Sequence, residues 1–585
     1  MPHALVEVEH LTYHVSDGES TLRPILEDIS FTIQSGEWIA LLGANGSGKT
    51  TLVRHLNALL QPSSGSVRVD GMDTRDKRNR PLIRATAGMV FQNPEDQIVA
   101  GVVEEDTAFG PENLAIAPPE IRRRVDESLE QVGLTAQHLR PPHLLSAGQK
   151  QRLAIAGVLA MRPHLIILDE ASTMLDPGGR RAVMEIMRQL HAAGMTIILI
   201  SHFMQEAVSA DRVIILNRGR LVADDTPARI FSNPAQLAEW GLEQPPAAAI
   251  ASQFRLHLQD FPFGILTSAD LLKAISNLPH STSDTSQPIY PTRYSNPVII
   301  QVDSLAHEYM TGTPLAHQAL LDVTCSVPEG SGFALLGATG SGKSTLLQHM
   351  NGLLRPQKGQ VRVGPYQLSD LKINTRSVVK LAGLVFQNPE NQFFEQYVGD
   401  EIAYGPRQFP LDETLAKRVR WAMELVGLGF EEFKDRMTFS LSGGERRKVA
   451  LASILALKPS ILLLDEPLAG LDPASRRVIL ARLSELRQQA GVTLVLSSHQ
   501  MEDVAALAQS ALVLSNGRSV LQDSLGCVFA QSDKLTAAGL AAPLATRLAA
   551  DLRAQGWNLN PTLLTPAELV EGILAAVQSP ERSAA

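Results

Sequence analysis

Two stretches, GANGSGKTT at residues 43–51 and GATGSGKST at residues 337–345, combine residue types suited to holding phosphate. Both fit G-x-x-x-x-G-K-[ST]. Gly43, Gly46 and Gly48, and their counterparts Gly337, Gly340 and Gly342, let the backbone fold tightly enough for successive N–H groups to point at phosphate oxygens. The helix that follows adds the positive end of its dipole. Asn45, Ser47 and Thr51 complete the first loop, and Thr339, Ser341 and Thr345 the second. Lys49 and Lys343 are expected to reach the β and γ phosphates, and the hydroxyls of Thr50 and Ser344 to sit on Mg²⁺. A glycine turn before a helix, with a solvated lysine, would explain one such loop. Two in the same strand-to-helix setting point to a nucleotide such as ATP.

Such loops must be held between a strand and a helix. Trp38–Leu42 and residues 333–336 are short apolar runs that read as strands, and helical stretches open at Thr50 and Ser344. The rest of the chain repeats in the same way. VFQNPEDQ from Val90 returns as VFQNPENQ from Val385, and LLSAGQKQRLAIAGVLAMRP from Leu144 as SLSGGERRKVALASILALKP from Ser440. LIILDEASTMLDP from Leu165 returns as ILLLDEPLAGLDP from Ile461, and SHFMQEA from Ser201 as SHQMEDV from Ser498. One fold is therefore expected twice.

Each copy opens with alternating apolar residues, VEVEHLTYHV and IIQVDSLAHEY, the period of half-buried strands. The continuous runs LIILD, TIILIS, ILLLD and TLVLSS suit a parallel sheet covered by helices on both faces. Helix-rich inserts are expected over residues 111–145 and 406–441. Residues 278–297 are rich in Pro, Ser and Thr and read as a linker. Helical stretches after each copy, such as PAELVEGILAAVQ, are expected to serve packing.

With 44% hydrophobic and 19% charged residues, the 585-residue chain has the composition of ordinary globular domains. Its net charge of −9 argues against wrapping nucleic acid by charge alone. No uninterrupted apolar stretch approaches the roughly 18 residues that span a bilayer, and the N-terminus lacks the pattern of a secretory signal. A cytoplasmic chain is expected. Cys325 and Cys527 have neither disulfide nor metal-knuckle spacing and are expected as buried small residues.

With these motifs in view the chain resembles the ATP-binding cassette ATPases, nearly end to end in both halves. More narrowly it looks like a tandem fusion of the two ATPases of energy-coupling factor (ECF) importers. VFQNPEDQIVAGVVEEDTAFGPENL is similar to one member of that pair, and HEYMTGTPLAHQALLDV around Tyr309 to the other. The resemblance implies an α/β fold with two P-loop NTPase domains, each with a helical subdomain and a C-terminal tail. It implies cassettes over 1–231 and 298–530, tails over 232–277 and 531–585, and the linker between them.

The same resemblance assigns roles. Asp169 and Asp465, ending apolar strands, help to hold the Mg²⁺ shell, together with Thr50, Ser344, Gln92 and Gln387. Glu170 and Glu466 orient or deprotonate the attacking water, His202 and His499 sense the γ phosphate, and Tyr13 and Tyr309 stack on adenine. For Tyr13, a strand-core aromatic is nearly as good a reading. Signature residues complete the opposite nucleotide site: Ser442, Gly443, Gly444 and Glu445 for the first loop, and Ser146, Gly148 and Gln149 for the second. The two cassettes are thus expected to pair within one chain.

The implied function is the motor of an ECF-type importer of vitamins or of cobalt or nickel, peripheral on the cytoplasmic face of the membrane. Its expected partners are a transmembrane scaffold subunit and a small substrate-binding membrane protein, with no nucleic acid. The alternatives are a soluble tandem-cassette ATPase acting on ribosomes or nucleic acid, and a sugar-type importer ATPase. Three departures stand out: Ala147 where the signature has Gly, Glu445 where it has Gln, and ASTML after Glu170 in place of PTAGL. Two competent but unequal sites follow. Glu170→Gln and Glu466→Gln, assayed separately for steady-state ATP hydrolysis, should lower turnover by different factors; equal losses would contradict the inequality.

Overall fold

Strands buried on both faces need apolar residues at every position, and the continuous runs named above supply them. They form the centres of two six-stranded sheets, one in each copy of the repeat. The structure is a computed structural model, and it describes residues 4–16, 22–173, 175–279, 296–313, 316–370 and 372–578. The chain divides into two compact units, Met1–Leu271 and Leu272–Ala585, the cut falling inside the helix Ser268–Ser276. The expected linker lies, over residues 280–295, outside the described residues.

In the first unit the strands are β1 (Ala4–Ser16), β2 (Leu22–Gln34), β3 (Trp38–Leu42), β4 (Ser64–Val69) and β5 (Met72–Asp73), then β6 (Ala87–Val90), β7 (Leu165–Asp169), β8 (Thr196–Ile200), β9 (Arg212–Asn217) and β10 (Arg220–Asp225). They build an antiparallel sheet, β2-β1-β4-β5, and a second sheet in the order β10-β9-β3-β8-β7-β6. Pairing in the second sheet is parallel except at the edge strand β10. Parallel strands end at one edge of a sheet. Segments leaving β3, β7 and β8 therefore emerge side by side, which is what gathers a site from distant parts of the sequence.

The second unit repeats this plan. Its strands are β11 (Val298–Tyr309), β12 (His317–Pro328), β13 (Gly332–Leu336), β14 (Lys358–Val363) and β15 (Tyr366–Gln367), then β16 (Ala382–Val385), β17 (Ile461–Asp465), β18 (Thr493–Ser497), β19 (Ser510–Ser515) and β20 (Arg518–Ser524). The orders are β12-β11-β14-β15 and β16-β17-β18-β13-β19-β20, with β20 antiparallel to β19.

Alternate residues of the central strands feed two cores. In the first unit Trp38, Ala40 and Leu42 face a core shared with the helices Ala147–Leu159 and Pro177–Ala192. Ile39 and Leu41 face another, built with β1, β2, β4 and the helix Lys49–Leu56. Helices cover both faces as expected, but one face also carries a second sheet. One face carries helices alone, and the other carries the antiparallel sheet beside the helices Lys49–Leu56 and Arg80–Thr86, because the alternating strands at the start of each copy need somewhere to bury their apolar side. Phe333 and Leu335 head the equivalent sheet-covered core of the second unit.

The inserts begin earlier than expected. Helices Val103–Asn113 and Val398–Tyr404 precede the bounds set by the prolines, and Pro111 lies in the last turn of its helix, where the hydrogen bond it forgoes disturbs only the helix end. The segment PAELVEGILAAVQ is a helix, Pro566–Gln578, with Leu569 and Ile573 fully buried. Cys325 is buried, and its thiol is pushed up to about 12 by burial and by Asp303. Cys527 is only partly buried, contrary to expectation.

Leu463, wholly buried in the sheet-covered core of the second unit, contributes transfer energy that a cavity would forfeit. Leu463→Ala should cost about 3 kcal/mol, read as a lower midpoint in chemical denaturation, and a cost below about 1 kcal/mol would contradict the packing described.

Candidate active sites

The phosphate loops leave β3 and β13 directly. Gly48 and Gly342 stand just before the helices Lys49–Leu56 and Lys343–Asn351 with φ of 100° and 103°. A side chain at Gly48 would be strained there, and its Cβ would lie 2.7 Å from Leu26 Cδ2. Gly43 and Gly337 are buried, whereas Asn45 and Gly46, like Thr339 and Gly340, are exposed at the loop crest. Ser47 and Ser341 are 3% and 4% exposed, and their hydroxyls have no hydrogen-bond partner among the described contacts. A cradle with a buried, unanswered hydroxyl suits an oxygen-rich ligand. Lys49 Nζ donates to the carbonyls of Gly43 and Ala44 at 2.8 and 3.0 Å, and Lys343 makes the same pair of bonds to Gly337 and Ala338. Both ammonium groups are thus folded into the loops that they are expected to serve.

The first helical hydroxyl meets the strand-end carboxylate. Thr50 Oγ1 donates to Asp169 Oδ1 at 3.0 Å, and Ser344 stands near enough to Asp465 to favour its charged form. Burial raises the Asp169 carboxyl to about 6; the neighbouring charge of Glu170 adds to this, while Thr50, Arg54 and Lys49 oppose it. Asp465 is also raised by burial, against the hydrogen bonds of Ser344 and Ser497. Among the described residues no group of three or more His, Cys, Asp or Glu could hold a metal unaided. One carboxylate beside one hydroxyl fits a hard cation that takes its other ligands from phosphate oxygens and water.

Glu170 and Glu466 follow with positive φ, 52° and 50°. Left-handed backbone is uncommon in a side chain of this kind, and here it occurs at the same position in both copies. His202 Nε2 lies 2.6 Å from Glu170 Oε1, and His499 Nε2 lies 2.6 Å from Glu466 Oε1. Gln92 Nε2 donates to Glu170 Oε2 at 3.0 Å, and both Gln92 and Gln387 are exposed. Burial works against the charge of Glu170, but the hydrogen bond and charge of His202, with Lys49, outweigh it and hold the carboxyl below its usual range. Glu466 behaves likewise with His499, Lys343 and Arg447. Two adjacent carboxyls are thereby pushed in opposite directions.

The signature residues are not part of that cluster. Ser146 caps the helix Ala147–Leu159, its Oγ accepting from Gln149 N at 3.3 Å while Gln149 Oε1 accepts from Ser146 N at 2.9 Å. Gly148 lies in the first turn. Ser442 and Glu445 form the same box before Gly443, Gly444 and the rest of the helix Gly443–Leu455. The sequence suggests that Glu445 adds a negative charge near a phosphate. The structure instead uses that carboxylate in the cap and in an ion pair with Arg436 at 3.0 Å, which compensates the charge locally. Tyr309 donates or accepts a hydroxyl bond of 3.2 Å with Thr345 Oγ1, and Tyr13 sets its ring edge-on to His55 at 4.8 Å. Thr51 is half-buried, its carbonyl accepting from His55 Nδ1.

Two features escaped sequence reasoning. Ser497 Oγ donates to Asp465 Oδ1 at 2.6 Å and accepts from Glu466 N at 3.2 Å, where the first unit has Ile200. The last letter of TLVLS, set against that of TIILI, carries that signal. The tails, moreover, touch the phosphate loops of their own units. A Cβ at Gly241 would lie 3.2 Å from Ala44 Cβ, and one at Gly539 would lie 3.4 Å from Ala338 Cβ.

The family model of the ABC transporter matches residues 26–173 and 320–469, one stretch around each phosphate loop. The chain belongs to the ABC transporter family. A protein of Methanosarcina mazei named as an ABC transporter ATP-binding protein is 34% identical over 588 residues, covering 97% of this chain and 96% of its own length. The energy-coupling factor transporter ATP-binding protein EcfA1 of Caldanaerobacter subterraneus subsp. tengcongensis is 48% identical over 272 residues, covering 46% of this chain and 98% of its own. A solved structure of cbiO1 from Clostridium perfringens, described as part of the ABC transporter complex cbiONQ, is 33% identical over 44% of this chain and 96% of its own, with a TM-score of 0.38. Two ABC transporter domains in one chain, with both tandem ABC ATP-binding proteins and half-length EcfA1 ATPases among its relatives, are consistent with a fusion of two ECF ATPases, and the chain is an ATP-binding ATPase of this family. No described helix of the ABC chain is long and apolar enough to cross a membrane.

The tail contact generates a test. Gly241→Val should weaken ATP binding by about fivefold or more through displacement of Ala44, measured by nucleotide titration. Gly194→Val shares a left-handed backbone, φ 90°, but meets nothing within 4 Å, and should leave the affinity unchanged. Equal effects would contradict a specific role for the contact.

Proposed function

We propose that this chain is the energising subunit of an ECF-type importer, hydrolysing MgATP at two sites and driving a separate transmembrane scaffold. The observation that carries the reading is the complete set of Lys, hydroxyl, Asp, Glu and His at one sheet edge in both units, joined to the EcfA1 similarity over one cassette length. A chain with one worn-out cassette would fit other tandem ATPases better.

In this reading the backbone of each phosphate loop cradles the β and γ phosphates, and Lys49 or Lys343 leaves its loop carbonyls to neutralise them. Thr50 and Asp169 in one cassette, and Ser344 and Asp465 in the other, would hold Mg²⁺ with Gln92 and Gln387 beside it, and the ion would supply neutralisation of phosphate charge. Glu170, steadied by His202 and Gln92, accepts a hydrogen bond from the attacking water and aligns it with the γ phosphorus. Glu466 and His499 do the same in the second cassette. Because positioning and charge stabilisation dominate phosphoryl transfer, a carboxylate in this place need not be a strong base. Tyr13 and Tyr309 offer ring faces to adenine.

The signatures complete the reading: Ser442, Gly443, Gly444 and Glu445 serve the first nucleotide, and Ser146, Gly148 and Gln149 the second. With Glu445 committed to Arg436, the signature contributes there through N–H groups and the Ser442 hydroxyl rather than through an added charge. The substrate class is vitamins or cobalt and nickel ions, recognised by a small membrane protein rather than by this chain, which works from the cytoplasmic face.

The test is reconstitution. The chain coexpressed with an ECF-type scaffold and substrate-binding protein should copurify with them in detergent and support ATP-dependent uptake in proteoliposomes. Robust hydrolysis with no association, or sedimentation with ribosomes instead, would overturn the transport assignment.

A further inference from the structure

One buried carboxylate of the first unit has no part in the set described above. Glu206, in the short helix Met204–Ala207, is 5% exposed. A single oxygen, Oε2, accepts from Ser201 Oγ at 2.6 Å and from Ser172 Oγ at 2.8 Å. Ser201 Oγ in turn accepts from Phe203 N at 2.9 Å, which closes the turn that carries His202. Ser172 lies two residues after Glu170 and is 1% exposed. The segments that follow Glu170 and flank His202 are thus fastened to one atom. The guanidinium of Arg180, 4.2 Å above the Phe203 ring, braces the same turn.

The second unit solves this packing with different chemistry. Leu468 stands where the first has Ser172, and offers no donor. Asp503 stands where the first has Glu206, and is ion-paired to Arg476 through Nε and Nη2 at 2.8 and 2.6 Å. ASTML in place of PLAGL therefore has a structural correlate, namely two hydroxyl bonds to the buried carboxylate, beside the charge of Arg180, in one cassette and an Arg476 ion pair with an apolar neighbour in the other.

We propose that Glu206 is a positioning residue for hydrolysis in the first cassette, tying the turn that bears Ser172 to the turn that bears His202. Movement of the segment after Glu170 then re-aims the histidine that holds Glu170. Short hydrogen bonds to a buried carboxylate are strong and directional, so the tie transmits displacement where a van der Waals contact would slip. The inference rests on the reading of Glu170 and His202 as the hydrolytic pair.

The experiment uses the full chain in a Glu466→Gln background, where turnover comes from the first cassette. Ser172→Ala should lower kcat for ATP about tenfold with KM and the melting temperature nearly unchanged, and Ser172→Thr, which restores a hydroxyl, should recover most of the loss. An unchanged kcat, or a loss that threonine does not restore, would overturn the tie. Glu170→Gln in the same background separates the two levels of the argument: if it leaves turnover intact, the hydrolytic reading falls and the tie falls with it, whereas loss with Glu170→Gln but none with Ser172→Ala sinks the tie alone.

Discussion

Two carboxylates side by side at the end of a buried strand repel each other and resent desolvation, and the surrounding structure is arranged to hold them there. Asp169 is 4% exposed and Asp465 6%. Each is met by the first hydroxyl of the phosphate-loop helix, and each following glutamate by a histidine from the neighbouring strand end. Removing one partner from such a pair leaves a buried charge uncompensated, at a cost of roughly 3–5 kcal/mol. The phosphate loop and the turn that bears His202 or His499 are therefore not free to drift. Their geometry is tied to where charge sits, and charge is what a nucleotide brings.

The two units answer this constraint with the same residue types and different supports. Ser497 helps to hold Asp465 and Glu466, whereas Ile200 at the same place cannot. Gln149 caps its signature helix as a neutral amide, whereas Glu445 does so as a carboxylate paired with Arg436. None of these differences removes a reacting group. Inequality between the cassettes, where it exists, resides in how firmly the shared groups are held.

Much of this was legible in the sequence because it is local. GANGSGKTT and GATGSGKST fix the loop, the helix start and the lysine within nine residues each, and LIILD and ILLLD place Asp and Glu at a strand end. What was not legible depends on partners distant in sequence. The fate of the Glu445 carboxylate turns on Arg436 and on the Ser442 backbone, the left-handed backbone of Glu170 on a bond from its N–H to Ile200, and the covering of Ala44 on a glycine in the tail. The sheet that covers one face of each unit was visible as alternating strands, but not as the second layer of a core. Alternation says that one side of a strand is buried, and not against what.

The central claim is that one chain holds two complete hydrolytic centres. Equilibrium binding of ATP with Mg²⁺ to the Glu170→Gln/Glu466→Gln double variant tests it most directly. The account predicts two nucleotides retained per chain with hydrolysis abolished. Retention of one nucleotide or none, or continued hydrolysis, would contradict it.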